Sequence, residues 1–73
     1  MKRYAVGVSD MNEDIEVVIV EAEFPDDALI QAVIKKFNWD IRNEDNYAGT
    51  ETIDDLITLA IQGDVLVSHP VKI

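Results

Sequence analysis

The chain has 73 residues with 15 acidic and 6 basic side chains and one histidine, a net charge of −9 on a sequence that is 48% apolar. That length leaves room for one hydrophobic core and excludes a two-lobed enzyme, while the apolar fraction is that of a globular domain, so the acidity decorates a folded object. The absence of cysteine excludes a disulfide framework and a thiolate zinc site. The reading is of one domain, residues 1–73, soluble and cytoplasmic, because no stretch approaches the roughly 20 apolar residues of a membrane helix.

In chain order, residues 3–8 alternate Tyr4, Val6 and Val8 against Arg3, Ala5 and Gly7, the period of a half-buried strand. Residues 9–14 form a polar turn of side chains that bond their own backbone. Residues 15–24 give the strongest strand signal, since Ile15, Val17, Val18, Ile19 and Val20 are all β-branched. Pro25, Asp26 and Asp27 then open a helix, with proline in the first turn and two carboxylates at the positive end of the dipole. Its apolar face is Leu29, Ile30, Val33, Ile34 and Phe37. Residues 38–50 are irregular, a long connection for a compact domain. Thr52 and Asp55 have capping-box spacing before a second helix whose stripe is Ile53, Leu56, Ile57, Ala60 and Ile61, ending at Gly63. A last strand occupies residues 65–69, and Pro70 marks its end or a sheet edge.

The resulting order, β-β-α-α-β, predicts an α+β fold: a small three-stranded sheet with two helices on one face. Two helices cover only one face. With Val18, Val20, Ala22 and Phe24 turned towards them, Ile15, Val17 and Ile19 form an apolar patch opposite. The patch calls for a cover: a second copy making a homodimer, another partner, or the Trp39/Tyr47 loop folded beneath it.

The residues argue against an enzyme. His69 and Ser68 are neighbours in a strand and point to opposite faces, so they do not form a base and nucleophile. The three glycines, Gly7, Gly49 and Gly63, make no phosphate-cradling loop. The pairs Asp26/Asp27 and Asp54/Asp55 are explained by helix starts. Asp10, Asn12, Asp14 and Glu21 stand at positions 1, 3, 5 and 12 of a calcium-loop spacing, but Ile15 occupies the position where that loop needs glycine, and the flanks read as strands. No metal and no cofactor is therefore expected. Direct binding to nucleic acid is disfavoured because each phosphate contact wants a cation.

The opposite electrostatic reading is attractive. Residues 10–27 contain Asp10, Glu13, Asp14, Glu16, Glu21, Glu23, Asp26 and Asp27 and no lysine or arginine. Such a ridge suits a basic groove, while the plain alternative is that the charge only keeps the domain soluble. Trp39 and Tyr47, set among Asp40, Arg42, Glu44 and Asp45, have the composition of an interface anchor and equally that of a plug under a long loop.

A short strand, an acidic turn, a β-branched strand ending in Glu21-Ala22-Glu23 and an acid-started helix running Ala28-Leu29-Ile30-Gln31-Ala32 together resemble small acidic phage early proteins, the host-takeover inhibitors, over residues 3–37. That resemblance implies action by binding one host machine and blocking it, without turnover. The expectation is a non-enzymatic acidic protein that occupies a basic surface of a larger protein, nucleic-acid-handling or other, and inhibits or modulates it, with nucleic-acid mimicry as one form of that action. Asp10, Glu13, Asp14, Glu16, Glu21 and Glu23 would supply charge, and Trp39 and Tyr47 the anchor. The alternative is an oligomerisation module in which Ile15, Val17 and Ile19 pair two copies.

Overall fold

A computed structural model describes residues 1–12 and 14–73 of the chain. The elements are β1 (Lys2–Asp10), β2 (Glu16–Ala22), α1 (Pro25–Phe37), two short 3-10 turns (Ile41–Asn43 and Asp45–Gly49), α2 (Ile53–Gln62), β3 (Val65–Val67) and β4 (Val71–Lys72). The fold is α+β, with an antiparallel sheet and two helices.

The sheet has four strands, one more than the sequence predicts. β1 is central. On one side it pairs with β2 from Lys2↔Ala22 to Val8↔Glu16; on the other it pairs first with β3, Val8↔Val67 to Asp10↔Val65, then with β4, Ala5↔Val71 and Tyr4↔Lys72. Between these last two ladders Ser68, His69 and Pro70 stand opposite only Val6 and Gly7, so the final strand is split by one surplus residue. Pro70 has no N–H to give to a ladder, which places the interruption there. Ser68 repairs part of it: its N–H donates to the Gly7 carbonyl at 2.8 Å, and its Oγ accepts from the Gly7 N–H at 2.8 Å, standing in for a backbone carbonyl.

Strand alternation builds the core. Tyr4, Val6 and Val8 of β1, Val18, Val20 and Ala22 of β2, and Val65 and Val67 of β3 are buried with Leu29, Ile30 and Val33 of α1 and Leu56, Leu59 and Ala60 of α2. Ala28 and Ala32 are also fully buried in α1, where small side chains bring the helix close to the sheet. Phe24 departs from the expected inward face and is 62% exposed, because the chain leaves the strand at Ala22 and Phe24 caps the helix start.

The helix boundaries follow the sequence signals. α1 begins at Pro25, carries Asp26 and Asp27 in its first turn and Lys35 and Lys36 in its last, and ends at Asn38 in the left-handed conformation (φ 55°), whose N–H donates to the Ile34 carbonyl at 2.8 Å. In α2 the capping box is complete: Thr52 Oγ1 accepts from the Asp55 N–H at 3.2 Å, and Asp55 Oδ2 accepts from the N–H groups of Thr52 at 3.1 Å and Glu51 at 2.9 Å. Those backbone donors, Glu51 first and Thr52 next, hold the Asp55 carboxyl below an aspartate's ordinary range.

The connection between the helices is ordered by two contacts. Ile41 is fully buried in the core, and Trp39 lays its ring on Gly63, where an added Cβ would stand 2.6 Å from the ring carbon Cη2. Asp40 locks the turn: it accepts from Arg42 Nε at 2.8 Å and Nη2 at 2.7 Å as well as from its N–H at 3.0 Å. The Arg42 hydrogen bonds hold the Asp40 carboxyl below its ordinary range.

Ile41→Ala is expected to lower unfolding free energy by about 2–5 kcal/mol in a denaturant titration, the cost of a core cavity even though the residue lies in a connection. Gly63→Ala is expected to lower stability and shift the fluorescence of Trp39, because the new methyl displaces the ring. Asp55 has a depressed folded-state value, so its contribution is present above the unfolded carboxylate's titration and lost as pH falls through the folded one. Asp55→Asn should therefore reduce the acid dependence of the thermal midpoint, and Thr52→Ala, which removes the other half of the box, should cost about 1 kcal/mol.

Candidate functional site

The helices cover one side of the sheet and leave the other open. Residues of β1 that turn away from the core are Arg3, Ala5, Gly7 and Ser9, small apart from Arg3; Ser9 is itself buried, and the flanking strands stand taller on both sides. Ile19 and Val71 lie either side of Ala5, and Val17 lies beside Gly7. Leu66 lies beside Ser9, and Ile15, just before β2, leans over Gly7. Ile15 is 71% exposed, Val17 64% and Val71 60%. The three residues singled out for association, Ile15, Val17 and Ile19, thus stand on one wall of a shallow apolar trough whose floor is β1, and Leu66 and Val71 stand on the other. The sequence reading missed this second wall because Leu66 and Val71 sit in segments too short to show a period.

The connection carrying Trp39 and Tyr47 does not cover the trough. Its two 3-10 turns pack on α1 and α2, and both aromatics are half-buried against the core. They belong to the helix layer.

The carboxylates of the hairpin are distributed, not aligned. Asp10 accepts from the Asn12 N–H at 2.8 Å, which closes the turn. Glu16 pairs with Lys36 of α1, on the core-facing side of β2. Glu21 lies on the trough side opposite Arg3. Asp14 and Glu23 are exposed beyond the two ends of β2, and Glu13 lies outside the described residues. The calcium-like spacing is not assembled: Glu21 is near the end of β1 remote from Asp10, and among the described residues no group of three or more histidine, aspartate or glutamate side chains gathers. His69 Nε2 reaches Asp54 Oδ1 at 2.9 Å, tying the bulge to the first turn of α2.

The outer edge of β2 is attended by lysine. Lys35 Nζ donates to the Ile19 carbonyl at 3.2 Å, a bond that occupies an acceptor on the open edge. Natural sheets use such a charged side chain to discourage edge pairing with other chains. The trough, with its backbone already paired on both sides of β1, is the surface left to side-chain recognition. No helix among the described residues is long and apolar enough to cross a membrane.

Lys35→Ala is expected to leave the fold intact and raise the tendency of the protein to associate through β2, measured as a concentration-dependent increase in sedimentation coefficient. Comparison with family models, curated proteins and solved structures finds no match.

Proposed function

We propose that the chain is a non-catalytic acidic binding protein that docks through the uncovered face of its sheet on a larger protein with a locally basic surface, and inhibits or modulates it. The observation that carries this reading is the exposed apolar wall of Ile15, Val17 and Ile19 on a chain of net charge −9. A desolvated apolar centre supplies affinity, and the surrounding negative field selects and steers a cationic partner. The resemblance of residues 3–37 to phage host-takeover inhibitors supports a host machine as the target, with nucleic-acid mimicry as the form of competition. A cytoplasmic location accords with that role.

Pairing of two copies through the same face is the competing reading. It is favoured by the exposed apolar surface and opposed by bringing −9 against −9. Capture of cellular proteins on the immobilised chain separates the two. A basic protein should be retained at about 0.01 M salt and released towards about 1 M, as the Debye length contracts from about 30 Å to about 3 Å. The double substitution V17S/I19S should abolish retention without changing the thermal midpoint by more than a few degrees, since both side chains are exposed. Recovery of the chain alone, with a salt-insensitive dimer in sedimentation, would overturn the proposal in favour of self-pairing.

A further inference from the structure

A pit opens along the trough. Gly7, Ile15, Ile57, Ile61, Leu66 and Ser68 surround a pit of about 190 Å³ at the β1–β3 side of the open face. Its floor exists because position 7 is glycine: a Cβ there would stand 3.2 Å from Ile15 Cγ2 and 3.3 Å from Ser68 Oγ. Its far wall exists because α2 runs beside the short strand β3, so that Ile57 and Ile61 reach the pit together with Leu66. The one hydroxyl in the lining is already engaged, accepting from the Gly7 N–H and donating to the His69 carbonyl at 3.3 Å. The pit therefore offers a guest apolar contact alone. An apolar cavity of roughly 150 Å³ accommodates a benzene ring, so this one has the size for a single phenylalanine, leucine or methionine side chain.

Most of the charge around it is negative. Asp10 follows Ser9, Asp14 precedes Ile15, and Asp64 precedes Val65 and Leu66, so three carboxylates border the pit's end of the sheet. The cations are placed elsewhere: Lys2, Arg3 and Lys72 at the opposite end of β1, Lys35 on the Ile19 carbonyl, Lys36 on Glu16 and Arg42 on Asp40. β1 is nine residues long, roughly 30 Å, and the Debye length at physiological salt is ≈ 8 Å, so the two ends present separate fields.

We infer that the pit is the anchor subsite of the docking face and takes one large apolar side chain of the partner, borne on a segment with lysine or arginine on either side of it. This rests on the reading of the open sheet face as the docking surface, and it adds which partner residue enters and where. A second copy of this chain fits less well, since it would bring a net charge of −9 against −9.

The test uses two pentapeptides, each with two lysines on either side of a central residue, phenylalanine in one and alanine in the other, titrated into the whole protein labelled with nitrogen-15 at low salt. The phenylalanine peptide should perturb the Gly7, Leu66 and Ser68 amides and bind about tenfold or more tightly than the alanine peptide, the gain expected from burying a large apolar side chain. Leu66→Gln should remove that preference while leaving the weaker, salt-sensitive binding common to both peptides. Ile61→Gln, on the helix, serves where the short strand does not tolerate the change. Equal binding of the two peptides, or perturbations centred away from these amides, would overturn the anchor while leaving the acidic docking face standing. Binding of neither peptide would overturn both, and so would perturbation of the same amides by dilution alone, which would assign the pit to a second copy.

Discussion

The structure depends on β1 being paired along both edges while only one of its faces is covered. Its inward residues Tyr4, Val6 and Val8 form the floor on which the side chains of both helices meet. Its backbone is held on one side by β2 and on the other by β3 and β4. A chain of 73 residues has two helices to spend on this sheet, and α1 and α2 together span one face. The apolar trough is the geometric remainder of that arrangement. It is also the surface with most to gain from a partner, because apolar area left in water is the term that association removes.

Around this strand the chain closes itself with local devices. The Asp55 carboxylate serves two backbone donors before α2, Asn38 turns the chain out of α1, and Asp64 (φ 64°) turns it from α2 into β3. Trp39 lying on Gly63 ties the connection between the helices to the end of α2, and Ile41 ties it to the core. These contacts hold Trp39 in the helix layer, where Tyr47 is also half-buried.

Net charge is a poor guide to where a partner would dock, because six of the fifteen carboxylates have local work. Asp26, Asp27, Asp54 and Asp55 stand at helix starts, Asp40 holds Arg42, and Glu16 holds Lys36. What gives the charge direction is the placement of the few cations. Three of them lie at one end of β1, and Asp10, Asp14 and Asp64 lie at the other. Glu21 and Glu23 offset part of the cationic end, and the pit lies towards the more negative end of the sheet.

The α+β class, the helix starts at Pro25 and Thr52, and the division of β2 into a buried set (Val18, Val20, Ala22) and an exposed set (Val17, Ile19) were all legible in the sequence. These rest on period and on short-range capping chemistry, both encoded within a few neighbouring residues. The split of the last strand, the second apolar wall at Leu66 and Val71, and the withdrawal of Trp39 into the helix layer were decided only by tertiary structure. Each depends on which residues distant in the chain meet across β1 or beside α2. The pit shows this most clearly: Gly7, Ile15, Ile61 and Leu66 belong to four separate segments, and only the packed fold brings them around one space.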